Sequence, residues 1–301
     1  MSGTGYGIII CLSYIALISE INFEYYFKLS LMLVSFLLIS LGLLSSTLHL
    51  GHPERAWRSF SQWRSSWLSR EGLAAIITYI PLMFFYLLWY LDISLYKYLL
   101  VTSSILCLVT IYCTGQMYAT LKTIPAWNNI LVTPIYLINA ISMGALCIYC
   151  LTRFYETEVS QLYELTLISL TLCLFLKLIY WFYISTKTTS TANTATGLGK
   201  NNNVSFFEGP HTGKNFLTTE MINKIKKERA NFLRLCFVIL TCILPTYMII
   251  QEASLIVNIL ILKLSFFITL IFAIIGMFME RYLFFIQAKH VVSLYYGENK
   301  V

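Results

Sequence analysis

Residues Leu48 to Gly72 read LHLGHPERAWRSFSQWRSSWLSREG. This is the most arginine-rich stretch of a chain that is otherwise mostly apolar. It carries His49 and His52, four arginines (Arg55, Arg58, Arg64 and Arg70) and three tryptophans (Trp57, Trp63 and Trp67). One apolar run ends at Leu48 and another begins at Leu73. Tryptophan favours the headgroup level of a bilayer and arginine its aqueous side, so the break is expected to be a loop or surface helix at a membrane face.

The chain has 301 residues, 58% of them hydrophobic and 12% charged, with a mean hydropathy of +0.72. Soluble domains carry about 25% charged residues, so an ordinary soluble protein is excluded. The net charge of +7 then belongs to loops and topology, with the lipid bilayer rather than nucleic acid as its counterpart. A spanning helix needs about 20 apolar residues. On that rule the sequence predicts an all-α integral membrane protein, a bundle of eight transmembrane helices at about 5–22, 28–48, 72–92, 96–118, 129–152, 160–184, 232–251 and 256–285. They form one polytopic membrane domain over 1–301. The N-terminus lacks a basic n-region and a small-residue cleavage site, so the first run is expected to stay as a span.

Short connections alternate with long ones. The long ones, 49–71, 119–128 and 185–231, share a face with both termini if the number of spans is even. Most of the 21 basic residues lie on that face, which the positive-inside rule places in the cytoplasm. A face that docks another subunit shows the same bias. Within the extramembrane loop 185–231, STKTTSTANTATGLGKNNN has a linker's composition. EGPHTG is turn-like, and TTEMINKIKKERA is expected to run as a short basic amphipathic helix into the seventh span. TLKTIPAWNNILVTPIYL (120–137) is expected to make a rigid turn anchored by Pro125 and Trp127, with Asn128 and Asn129 as caps for the next helix.

Eight cysteines lie within apolar runs, and only Cys147 and Cys150 have C-x-x-C spacing. Iron–sulfur ligation takes four thiolates, so core- or lipid-facing thiols are the expectation. His49, His52, His211 and His290 all fall at membrane edges, not at paired mid-span positions, so neither a haem nor an iron–sulfur cluster is expected in this chain, and no metal site.

What remains is chemistry at one interface. His49 sits in the last turn of the second span, which Gly51 and Pro53 stop, and Glu71 stands beside Arg70 at the mouth of the third. Each alone is explained as a helix cap or a carboxylate favoured by the macrodipole. Together with the arginines they suit a quinone headgroup. Quinol oxidation needs groups that accept two protons, donors that hold the oxygens, and an apolar slot for the tail. Glu280 and Arg281, in GMFMERYLFF, lie toward the same face as supporting candidates, and ionisable groups in spans are functional candidates by default. Lys177 and Lys263 have no sequence-local partner, and Lys263 is expected to snorkel.

LHLGHPERAWRSF, followed by WLSREGL, resembles the membrane-anchor subunit of the dimethyl sulfoxide reductase type. The resemblance continues in MYATLKTIPAW, TPIYL, EGPHTGKNFLTTEM and MERYLFF, in order along the sequence. It implies eight spans in a bacterial cytoplasmic (inner) membrane and no haem. It also implies an iron–sulfur electron-transfer subunit and a molybdopterin catalytic subunit as partners, with menaquinol or another quinol as the substrate oxidised. By that resemblance the quinol-site histidine is His49 and the important acid Glu71. Arg55 falls on the arginine of the family motif and Arg281 on the one near the last span, while His52 carries less weight.

The expected mechanism places quinol at the long-loop face, in a slot between spans two, three and eight. His49 takes one proton, Glu71 the second, and Arg55 or Arg70 holds the oxygens. Arg58, Arg64, Lys122, His211, Lys224, Lys226 and Lys227 are expected to dock the partner that receives the electrons. The rival readings are a purely structural anchor and, with no internal repeat or mid-bilayer polar break behind it, a transporter.

Overall fold

The computed structural model describes residues 1–19, 23–48, 51–186, 190–197, 204, 207–208, 213, 225–252 and 259–296. These residues are all-helical apart from turns. The principal helices are α1 (Ser2–Ile18), α2 (Tyr25–Leu48), α3 (Trp67–Tyr90), α4 (Tyr96–Ala119), α5 (Val132–Phe154), α6 (Ser160–Thr186), α7 (Lys227–Gln251) and α8 (Ile259–Ile286). Seven of them, α2 to α8, are long and apolar enough to cross a membrane; α1, with 17 residues, is shorter. The chain is a multi-pass membrane protein. Of the basic helix expected to run into the seventh span, the described part, from Lys227, is the opening of α7.

Helix α5 is the hub. In its most apolar window 78% of residues are buried, against 22–44% in the other six spans. It packs on α1, α2, α4, α6 and α8, while α7 joins α6 and α8. In lipid no hydrophobic force draws one helix to another, so close approach and hydrogen bonds must do it. The α1–α5 crossing shows the first device. A Cβ on Gly7 would overlap the Ala140 carbonyl, and one on Gly144 would overlap the Gly7 backbone. The α2–α3 pair shows the second. These helices touch only lightly but are tied by Ser35 Oγ to Tyr86 OH at 2.6 Å, Ser40 Oγ to Tyr79 OH at 2.8 Å and Tyr25 OH to Tyr90 OH at 3.1 Å.

Helix α7 widens into a π-turn over Val238–Ile243, just before Pro245. A proline has no N–H to give and its ring crowds the carbonyl four residues back, here that of Thr241. A π-turn absorbs both problems without breaking the helix. The Thr241 hydroxyl donates across to the Ala273 carbonyl of α8 at 3.2 Å, which holds the widened turn in the bundle.

The two ends of the bundle differ. At the short-loop end, tight turns place Asp92 and Glu156 at φ 54° and 57°, the left-handed region. Each carboxylate takes a lysine from another helix: Asp92 from Lys28, and Glu156 from Lys263 at 2.6 Å. Lys263 thus reaches the short-loop face and finds a partner there. At the long-loop end, Trp127 Nε1 donates to the Phe284 carbonyl at 3.0 Å and Tyr180 OH to the Ala126 carbonyl at 3.0 Å. The 120–131 turn is therefore stapled to α8 and α6. Seven of the eight cysteines are buried thiols and Cys236 is partly exposed; none is in a disulfide. They pack in the protein core, with Cys150 Sγ 3.6 Å from the Phe266 carbonyl.

Candidate functional site

The Leu48–Gly72 stretch becomes a 3-10 segment, Pro53–Gln62, followed by a turn and the start of α3. No residue of the segment is buried. Pro53 at its start supplies the fixed φ, and Ser66 caps α3, accepting from Ser69 N at 3.4 Å. Arg70 latches the loop onto the helix. Its Nε donates to the Trp63 carbonyl at 2.9 Å, its Nη2 to the Arg64 carbonyl at 2.7 Å, and its guanidinium lies 4.2 Å from the Trp67 ring centroid. Two of Arg70's five N–H donors are thus spent on the loop. His52 and Arg55 point outward: His52 Nδ1 lies 2.9 Å from Glu54 Oε1 and Arg55 Nε 3.9 Å from it, all three side chains well exposed. His49 lies outside the described residues.

Glu71 sits in the second turn of α3 and faces α4. Its Oε1 accepts from Thr114 Oγ1 at 2.9 Å. Helix α1 packs against the same α4 and carries Tyr6, and Tyr118 lies one turn beyond Thr114 on α4. Tyr6 is 3% exposed, and its hydroxyl has no hydrogen-bond partner among the described residues. Glu71 and Thr114 thus pair where α3 begins, and the unpartnered Tyr6 phenol belongs to α1, which packs on α4. Sequence reasoning singled out Glu71 but missed Tyr6, Thr114 and Tyr118. Tyr6 stands only five residues into the protein, in the weakest predicted span, and nothing local marks it.

A second polar centre lies at the same end, between α6 and α8. Lys177 donates to Glu280 Oε1, and Arg281 Nε to Glu280 Oε2; Lys177 and Glu280 are each 1% exposed. Arg281 lies over Tyr136, 4.3 Å from the ring centroid, and Lys177 over Tyr180 at 5.1 Å. Buried charges survive only when paired and hydrogen-bonded, and the aromatic faces add cation–π attraction. Lys177, without a local partner in the sequence, finds one 103 residues away. Tyr118, one turn beyond Thr114 on α4, stacks on Tyr136 and packs edge-on against Trp127 and Phe284. Of the helices expected to form the quinol slot, α3 supplies Glu71, whose hydrogen-bond partner, Thr114, comes from α4.

A family model described as DMSO reductase anchor subunit (DmsC) matches residues 1–297. The chain belongs to that family. Among its relatives is a sulfite dehydrogenase subunit of Allochromatium vinosum, 30% identical over 284 residues, which are 88% of this chain and 84% of the relative. Another is an anaerobic dimethyl sulfoxide reductase subunit of Haemophilus influenzae, 28% identical over 123 residues, which are 40% of this chain and 44% of the relative. No solved structure matches it.

For an anchor subunit, the outward groups matter as much as the inner ones. Arg58 lies over Trp57 at 5.6 Å and Arg64 over Trp63 at 5.5 Å, both pairs on the exposed side of the loop. Lys122 is exposed in the 120–131 turn, and Lys226 and Lys227 are exposed at the start of α7. His211 and Lys224 lie outside the described residues. Among the described residues no group of three or more His, Cys, Asp or Glu could hold a metal ion.

Proposed function

We propose that this anchor subunit exchanges electrons between membrane quinol and the redox subunits of a dimethyl-sulfoxide-reductase-type complex. The observation that supports this is the Glu71 site: a carboxylate held by Thr114 of α4 near the start of α3. Helix α1, which packs against the same α4, carries a buried phenol, Tyr6, that has no partner among the described residues. Quinol oxidation releases two protons and two electrons. His49 accepts one proton and Glu71 the other, while Tyr6 holds an oxygen of the ring. The electrons leave to an iron–sulfur subunit docked on Arg58, Arg64, Lys122, Lys226 and Lys227, and on His211 and Lys224 from the long loop, and pass from it to a molybdopterin catalytic subunit. Menaquinol is the expected donor. Arg55 and His52 serve the docking face in this reading, and Arg70 positions the loop.

This reading takes α1 as an eighth crossing helix. Its 17 residues rise about 26 Å at 1.5 Å each, close to the ~30 Å hydrocarbon layer. Residues 1–301 are then one polytopic domain, with 185–231 outside the membrane and both termini on the long-loop, cytoplasmic face.

The match to a dehydrogenase subunit over most of this chain favours a second reading of direction. A dehydrogenase partner supplies electrons, and the same site then reduces quinone with two electrons and two protons. His49→Ala and Glu71→Gln in the assembled complex test both. Quinol-linked turnover should be lost while assembly and turnover with an artificial dye persist. Full quinol-linked turnover in both variants leaves a structural anchor.

A further inference from the structure

Where α4 gives way to α5, a cavity of about 320 Å³ is lined by Gln116, Ala119, Asn128, Asn129, Ile130 and Thr133. Asn129 and Thr133 are 6% and 5% exposed, yet Asn129 Nδ2 and Thr133 Oγ1 have no hydrogen-bond partner among the described residues. The amide orientation is fixed, because Asn129 Oδ1 accepts from Leu131 N at 2.9 Å and leaves the NH₂ over. Asn128 spends its own NH₂ on the Ala119 carbonyl at 2.7 Å, closing the turn on the end of α4. Folds rarely keep two buried polar atoms unpaired unless something fills the space beside them.

The lining says what that is. It holds no charged side chain, so a phosphate or carboxylate finds no counter-charge. It does hold an amide NH₂, a hydroxyl and the Gln116 amide, which suit neutral oxygen acceptors. Gln116 and Ala119 continue the stripe of Ile105, Val109 and Tyr112 along α4, at helical spacing, and those three are exposed. In a bilayer that face meets acyl chains. Ile130, at the rim, is 88% exposed. The cavity is separate from the Glu71 site: Thr114 and Gln116 are two residues apart, about 200° round the helix.

We propose that this cavity is a headgroup site for a bilayer amphiphile bearing carbonyl oxygens, held by the Asn129 amide, the Thr133 hydroxyl and Gln116. The carbonyls come from a quinone ring or from the ester groups of a glycerolipid. The site stands whether or not Glu71 handles quinol.

The test uses the full-length protein in its complex, in nanodiscs of ether-linked or ester-linked phosphatidylglycerol, with an azido-naphthoquinone as photolabel. Thr133→Val keeps the shape and removes the hydroxyl; Gln116→Leu removes the amide of a half-buried side chain. Thermal melting checks both variants, and Gln116→Leu gives the reading should Thr133→Val fold poorly. Losing a hydrogen bond to a neutral acceptor should weaken occupancy by up to about tenfold. Labelling of 116–133 in ether-linked nanodiscs that falls by this much in the variants assigns the site to a quinone. Ester lipid retained in native mass spectra, lost in the variants and not replaced by ether lipid, assigns it to a glycerolipid. Labelling and lipid retention that are absent, or present and unchanged in both variants, overturn the proposal and leave a water-filled notch.

Discussion

Glu280 of α8 is held by Lys177 of α6, across 103 residues of sequence, and both side chains are 1% exposed. The carboxylate also takes Arg281, so one anion serves two cations. The two ends of this bridge are therefore unequal. Lys177→Met leaves Glu280 still paired with Arg281. Glu280→Gln leaves a buried lysine and a half-buried arginine without an anion, and breaking a buried pair from one side costs about 3–5 kcal/mol. Glu280→Gln should lower the melting temperature and membrane yield well below Lys177→Met. Equal losses would show that the triad does not share its charge in this way.

The Tyr6 hydroxyl gives a cleaner separation of fold from function. It has no partner among the described residues, so Tyr6→Phe removes no hydrogen bond there and relieves a buried polar group. Melting should stay the same or rise. If the hydroxyl holds a quinol oxygen beside Glu71, quinol-linked turnover should fall roughly tenfold to a hundredfold while dye-linked turnover holds. Unchanged quinol kinetics would remove Tyr6 from the site.

Much of this arrangement is legible in the sequence, and the rest fails for a definable reason. The break at 48–72, the spans and the placement of Glu71 at a helix mouth follow from hydropathy and from Gly51, Pro53 and the arginines. Which helix lies at the centre does not. Most spans are apolar on every side, so no polar face records which side of α5 meets α1 or α6. The pairing of Lys177 with Glu280 and that of Glu71 with Thr114 depend on that packing. The packing in turn depends on small residues such as Gly7 and Gly144, which carry no signal until their partners are known.

That dependence can be measured. A Cβ at Gly144 would overlap the Gly7 backbone, so Gly144→Ala forces α1 away from α5 or shifts both helices. Overpacking of this kind costs about 1–3 kcal/mol. Because α1 carries Tyr6, the same variant should lower quinol-linked turnover as well as melting temperature. Gly213 has nothing within 4 Å of its added Cβ, and Gly213→Ala is the matched control expected to change neither. A Gly144→Ala protein that melts like the control would mean that the α1–α5 crossing is looser than the structure shows.

Arg70 tests whether the 48–72 loop must be held in place for the site to work. Its guanidinium bonds two loop carbonyls at once and lies against Trp67, a geometry that needs a planar fork. A lysine keeps the charge but reaches one carbonyl at a time and stacks poorly. Arg70→Lys should therefore leave the bundle's melting nearly unchanged, since the loop lies outside the core. The 53–66 segment should become more sensitive to limited proteolysis. Quinol-linked turnover should fall, because His49 hangs from the same loop, and dye-linked turnover should persist. Raised proteolysis with normal quinol turnover would separate the loop's fixation from the chemistry and leave Glu71 and Tyr6 as the working groups.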